Sequence, residues 1–335
     1  MQKPTASLSL DLDNKWAYLR THGHKSWSSY PSYLPLVVPR ILNVLSTHDL
    51  QITAFVVGQD AARAENREAI ESIVEAGHEI GNHSQNHYPW MNTLPVEQIE
   101  REIVEAEEAL EDITGETPRG FRGPGFSWSM PTLEFLAKRG YLYDASTFPT
   151  FLGPVARMYC LLKSTLDRSE REERKELFGS IRDGLRPLKP FVQSTSAGPI
   201  VEIPVTTVPI VRVPFHMTYL LYLRQFSSAL CRGYLKAALA LCKLRGVTPS
   251  MLLHPLDFLD REEVPELAFF PGMALSRSEK AEVVQMTLDA LSASYRLVPL
   301  GEQAAQVRRA TGLAEQRPAI WRPKSVVGEP LSVAR

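Results

Sequence analysis

Short apolar runs alternate with longer amphipathic stretches over the first 150 residues. Leu8, Leu10 and Leu12 occupy alternate positions and predict a strand over 5–13. Residues 52–57 predict a second strand, ended by Gly58, and 78–83 a short third one. The stretches 35–49 and 66–76 read as helices, the latter stopping at Gly77. Over 95–113, Val96, Ile99, Ile103, Ala106 and Leu110 fall on one face of a long acidic helix. Residues 119–125 predict a strand running into a tight loop. A helix over 131–139 ends at Gly140, and 141–144 is another strand. With 200–204, 250–254 and 295–299 there are seven or eight candidate strands and no internal repeat. Strands alternating with helices predict an α/β domain with a largely parallel sheet.

Residues 151–248 break this rhythm. The charged run 167–176 predicts a solvated helix. The segment 215–245 is apolar and helical, with Ser227 as N-cap, Leu230, Tyr234, Ala238 and Leu241 on one face, and Arg232, Lys236 and Lys243 on the other. It reads as a helical pair packed on the sheet or as a lid or membrane-surface patch for a lipid-bearing substrate. The expected organisation is one domain over 1–314 with a helical insertion at 151–248. A loosely ordered tail over 315–335 follows.

The chain has 335 residues, 44% apolar and 22% charged, with net charge -1. That composition is globular and leaves no basic footprint for nucleic acid. Cys160, Cys231 and Cys242 have no metal-type spacing and predict buried thiols. No stretch of about 18 uncharged apolar residues predicts a membrane span. The N-terminus enters the first strand without a charged segment followed by an apolar one. These features predict a cytoplasmic protein.

The chemistry gathers at predicted strand ends: Asp11, Asp13, His83, Arg122, Asp144 and His254. Parallel α/β barrels keep their active sites at the C-terminal ends of their strands. Asp11 and Asp13, two apart on a strand, point to one face, where an unpaired buried carboxylate would be costly. His83 and His87, four apart, suit one face of a helical turn and a shared ion. One Asp with two His makes a mononuclear metal site and leaves the other Asp free as a base. His78, Asp257, His22 and His24 read as ordinary structural or loop groups. Trp16, Trp27, Trp90 and Trp128 read as packing or as a sugar-binding rim.

The set Asp11-Leu12-Asp13, His83-x-x-x-His87, Phe121-Arg122-Gly123-Pro124-Gly125, Tyr143-Asp144 and Leu253-His254-Pro255 resembles the polysaccharide deacetylases, the NodB-homology group of carbohydrate esterase family 4. The resemblance spans about 5–150 and 198–300. It implies a distorted (β/α) barrel of about seven strands and metal-dependent removal of an N-acyl group from an amino sugar. It further implies Asp11 as general base, and Asp13, His83 and His87 as ligands of a divalent ion, zinc most often. Arg122 would keep Asp11 charged and oriented, Gly125 would offer an oxyanion N–H, and His254 would act as general acid, held or tuned by Asp144. Two departures stand out. Leu12 separates aspartates that are adjacent in the common pattern, and Gly125 stands where many members carry an aromatic residue. The Asp-x-Asp spacing is similar to branches acting on lipid-linked sugars or small amides. An N-acylated sugar is therefore the expected substrate, with a lipid-linked sugar or small amide as the alternative. A third reading, a carbohydrate-binding barrel without catalysis, is opposed by the complete set of base, ligands and acid. A peripheral lipid contact through 215–245 remains open.

Overall fold

In a computed structural model, residues 3–156, 158, 164, 166–173 and 181–313 are described. Cys160, the tail 315–335 and the end of the charged run after 173 lie outside them. The chain forms a curled sheet of nine strands: β1 (Thr5–Leu12), β2 (Thr53–Val56), β3 (Glu79–Asn82), β4 (Gly120–Phe121), β5 (Tyr143–Asp144), β6 (Phe191–Thr195), β7 (Gly198–Glu202), β8 (Ser250–Leu253) and β9 (Arg296–Val298). The order is β6-β7-β5-β4-β3-β2-β1-β8, with β9 also on β1. All pairings are parallel except β6 with β7. Beyond β7, Thr206 donates from its N–H to the carbonyl of Ser250, 3.1 Å away, and draws the two sides of the curl together. The expected distorted α/β barrel is therefore present as a partly closed one. β6 is the strand that sequence reading missed.

β1 is buried on both faces, as parallel strands are. Leu8, Leu10 and Leu12 enter the main core with Val37, Val38, Ile41 and Leu45 of α2 (Leu34–Thr47). Ser9 and Asp11 face the interior of the curl, where both meet Arg122. The crossovers supply α1 (Lys15–Thr21), α3 (Gly58–Ala61), α4 (Ala64–Glu75), α5 (Val96–Thr114) and α6 (Met130–Lys138). α5 ends at Gly115, whose φ of 70° is the left-handed C-cap that glycine adopts freely. α1 was not expected. Its aromatic residues mask a helical period, but the Asn14 side chain caps it by accepting from the Lys15 N–H.

In the insertion, α7 (Arg168–Glu173) precedes the β6–β7 hairpin, and α8 (Met217–Arg224) and α9 (Ser228–Arg245) follow it. Ser227 caps α9 as expected, and Gly246 ends it with a φ of 59°. The buried stripe of α9 differs from the expected one. Cys231, Leu235, Ala238 and Cys242 face the core, while Leu230 stands in solvent. Both cysteines are free, as expected. α10 (Arg277–Ser294) and α11 (Leu300–Ala310) complete the chain. No helix among the described residues is long and apolar enough to cross a membrane.

Candidate metal and hydrolytic centre

Asp11 ends the interior-facing row of β1, and Asp13 lies just beyond the strand. Both are buried. Two different partnerships separate them. Asp11 Oδ1 accepts from Arg122 Nη1 at 2.6 Å in an ion pair whose guanidinium is wholly buried. Asp13 instead faces two imidazoles, with His87 Nε2 2.9 Å and His83 Nε2 3.2 Å from its Oδ1. Both ring nitrogens converge on this one buried oxygen, which has no other partner among the described residues. The Tyr33 hydroxyl donates to the Asp13 backbone carbonyl at 2.5 Å and fixes the chain just past the strand.

The histidine pair is not on a helical turn, contrary to the expectation from its spacing. Residues 83–87 form a bend in which Ser84 and His87 take left-handed φ values of 60° and 49°. Such conformations cost a non-glycine residue energy and persist only where surroundings impose them. Here side chains capture the backbone. Asn82 Oδ1 accepts from the Ser84 N–H, and Ser84 Oγ accepts from the His87 N–H. Glu102 of α5 accepts from both the backbone and the side chain of Asn86. Arg20 of α1 donates to the carbonyls of Asn86 and His87, and its guanidinium lies over the rings of Trp16 and Tyr88. The buried Trp16 and Trp90 both lie against the Arg20 guanidinium and so pack around the bend.

His83 Nδ1 lies 2.6 Å from the Arg122 carbonyl, which can only accept. That contact places the ring proton on Nδ1 and leaves the Nε2 lone pair directed at the Asp13 side. Ligand atoms of Asp13, His83 and His87 all fall within 4.8 Å of one another. Two imidazole nitrogens and one carboxylate oxygen around a common point are the donor set of a divalent-ion site with open positions. An Asp13 Oδ1 with no other partner is what such a shared ion would satisfy.

Arg122 follows β4 and joins these features. Its Nε donates to the Ala145 carbonyl, its Nη1 to Ser9 Oγ as well as to Asp11, and its guanidinium stacks over Phe55 at 4.3 Å. Asp144 ends the neighbouring β5 and is buried. Its carboxylate accepts from Ser146 Oγ at 2.6 Å and meets Glu202 at the end of β7. Burial, reinforced by Asp144, pushes the Glu202 carboxyl well above the usual carboxylate range. A proton between the two carboxyls would relieve their mutual repulsion. Gly125 turns the loop after Arg122 with φ of 58°, and a Cβ there would stand 2.8 Å from Pro89. Pro89 thus occupies the space on the side where a Gly125 side chain would lie.

His254 follows β8 and is half-buried. Its Nδ1 lies 3.1 Å from Thr218 Oγ1 of α8, and that hydroxyl donates to Asp257 Oδ1 at 2.9 Å. Asp257 Oδ2 accepts from the His254 N–H at 2.7 Å. Beneath this turn the buried Lys280 of α10 donates to the carbonyls of Leu256 and Leu259, and burial draws its amine down to about 8. Thr218 and Asp257 therefore hold His254, while Asp144 is engaged with Ser146 and Glu202. Asp257, taken from sequence as a loop residue, is the missed partner. Its position three residues after His254, at the end of a capping box, was the available signal.

The family described as polysaccharide deacetylase matches residues 26–143. That stretch contains the histidine pair and Arg122 but neither Asp11, Asp13 nor His254. A peptidoglycan deacetylase of Helicobacter pylori is 32% identical over 109 residues, covering 32% of this chain and 36% of that protein. A chitooligosaccharide deacetylase of Sinorhizobium fredii is 32% identical over 132 residues, 37% of this chain and 60% of that one. The chain thus aligns with only part of each relative. Among solved structures, a Mycobacterium smegmatis protein assigned as a polysaccharide deacetylase superimposes with a TM-score of 0.56 at 21% identity, covering 95% of both chains. Puue allantoinase reaches 0.54 at 18% identity, covering 92% of this chain and 90% of that one, so the fold is shared with an enzyme named for a non-sugar substrate.

Proposed function

We propose that this protein, a member of the polysaccharide deacetylase family through residues 26–143, is a metal-dependent hydrolase that removes an N-acyl group, acetyl first, from an amino-sugar substrate. The observation that carries the reading is the convergence of Asp13, His83 and His87 beside the separately paired Asp11. Asp13, His83 and His87 would hold a divalent ion, zinc first, which when bound would supply Lewis acidity to the reaction.

The chain's own groups divide the remaining work. Asp11, fixed by Arg122, takes the proton from the attacking water as oxygen bonds to the acyl carbon. The Gly125 N–H faces the oxyanion that develops. His254, set by Thr218 and Asp257, gives a proton to the amide nitrogen as the C–N bond breaks. The products are a carboxylic acid and a free amine. Asp144 acts at a distance, through the Glu202 pair that braces the strand ends next to Arg122.

A lipid-linked amino sugar is the second reading. It is favoured by the exposed apolar side chains gathered in the 151–248 insertion. The test is a release assay for acetate and formate across N-acetyl and N-formyl amino sugars, free, polymeric and lipid-linked, with metal analysis of the same sample. The expected result is release from an N-acyl amino sugar that stops on chelation and returns with a divalent ion. Release that survives both chelation and Asp13→Ala would refute the mechanism.

A further inference from the structure

Fourteen large apolar side chains stand in solvent among the described residues, and eleven of them lie in the 151–248 insertion. The sequence between Glu202 and Asp257 adds a second asymmetry. It has no acidic residue and six basic ones, in a chain whose net charge is -1. The remainder of the chain therefore carries a net charge of -7.

On α9 the two properties share one face. Arg232, Lys236 and Lys243 recur at helical spacing along one edge, all exposed and without an ion-pair partner among the described residues. Beside them run Ala229, Gly233, Ala237 and Ala240, also exposed, and Leu244, which is 75% exposed. Phe226, 66% exposed at the turn between α8 and α9, and Leu230 extend the apolar side.

A third observation lies next to α9. The chain bridges Thr207 to Pro214, and the tip between them exposes Ile210 and Val211. Ile210 has a φ of 79°, a conformation that a β-branched residue adopts only under constraint. The Tyr234 hydroxyl of α9 donates to the Pro214 carbonyl at 2.5 Å and ties this tip to the helix. A strained backbone that holds an apolar side chain out in water points to a surface with an occupant.

We infer that the α8–α9 pair and the 207–214 tip form a docking surface for an anionic phospholipid bilayer. Apolar side chains beside a row of cations match the acyl and headgroup layers of such a surface. The site is coupled to it directly, because Thr218 of α8 carries the hydrogen bond to His254. α8, joined to α9 through the Phe226 turn, thus also sets the proposed acid, and a lipid-borne substrate would arrive at that side.

The test is vesicle flotation of the full chain, with phosphatidylcholine alone or mixed with phosphatidylglycerol, at low and high salt. Because it reads binding without turnover, it can fail independently of the proposed hydrolysis. About tenfold more protein should float with the mixed vesicles, and high salt should reduce this. The combined change Arg232→Glu, Lys236→Glu, Lys243→Glu should abolish flotation. So should Phe226→Ser with Leu230→Ser and Leu244→Ser, which leaves the charge intact and serves alone if the first variant does not fold. Equal flotation with neutral and anionic vesicles, or wild-type flotation by a folded variant, would overturn the inference. So would a homodimer, seen by sedimentation and broken by the same substitutions, in a protein that leaves vesicles unbound.

Discussion

The strand ends of the barrel, Glu202 of β7 included, and the exposed surface of 207–245 within the insertion depart from ordinary residue placement in opposite directions. At the strand ends, Asp11, Asp13, His83, Arg122, Asp144 and Glu202 are buried. In the insertion, Phe226, Leu230, Leu244 and Ile210 are exposed. Both placements oppose the hydrophobic effect, and each is informative for that reason. Buried polar groups are costly without partners, so most of those at the strand ends are bonded, and the Asp13 oxygen that is not marks the candidate ion site. Exposed apolar groups need no partner for folding, so the insertion can spend its surface on something outside the chain. The proposed chemistry sits in the first region and the proposed contact in the second.

Substitutions should separate the two. The largest effect is expected at the donor cluster. His83→Ala or Asp13→Ala should abolish stoichiometric metal and lower kcat by about a thousandfold or more, read by metal analysis and turnover. Arg122→Ala would leave Asp11 buried and unpaired. It should cost about 3–5 kcal/mol in denaturant unfolding and remove activity as well. Asp257→Ala takes a charged acceptor from both the His254 N–H and Thr218. A loss of about 1.5–3 kcal/mol is expected, with a larger effect on kcat than on KM. Arg122→Ala with unchanged stability would undo the contrast, since the strand ends would then tolerate what only a surface should.

The Asp144–Glu202 pair offers a pH test. Glu202 has a raised carboxyl in the folded chain, so its contribution is fully present below the unfolded value of 4.5. That contribution is lost as pH rises through the folded value. Wild-type stability should therefore fall with rising pH over that window, and Glu202→Gln, which can still donate to Asp144, should flatten the fall in thermal melts. The smallest effect belongs to the insertion. Leu244→Ser should change stability by no more than about 0.5 kcal/mol, because the side chain packs on little.

Sequence reading succeeded where local pattern and structure agree. The alternation of Leu8, Leu10 and Leu12 identified β1, and its two carboxylates stood out as polar groups in an apolar run. It failed where tertiary partners override the local pattern. The spacing of His83 and His87 suggests a helical turn, but Asn82, Ser84 and Glu102 bond the backbone into a bend that still brings both rings to one point. The face of α9 was misplaced by one position, because Leu230 and Cys231 are both apolar and only packing decides between them. The part of Thr218 in the brace on His254 was invisible for a related reason. Thr218 and Asp257 are 39 positions apart and meet only in the fold.

The central claim is that Asp13, His83 and His87 share one divalent ion next to a free base, Asp11. Anomalous scattering from crystals of the protein, recorded on both sides of the zinc edge and those of other divalent metals, tests it most directly. The account predicts one peak per chain, about 2.0–2.2 Å from Asp13 Oδ1 and from the Nε2 atoms of His83 and His87, with Asp11 outside bonding range. A peak bound by other residues, or no peak in metal-supplemented crystals of active protein, would contradict it.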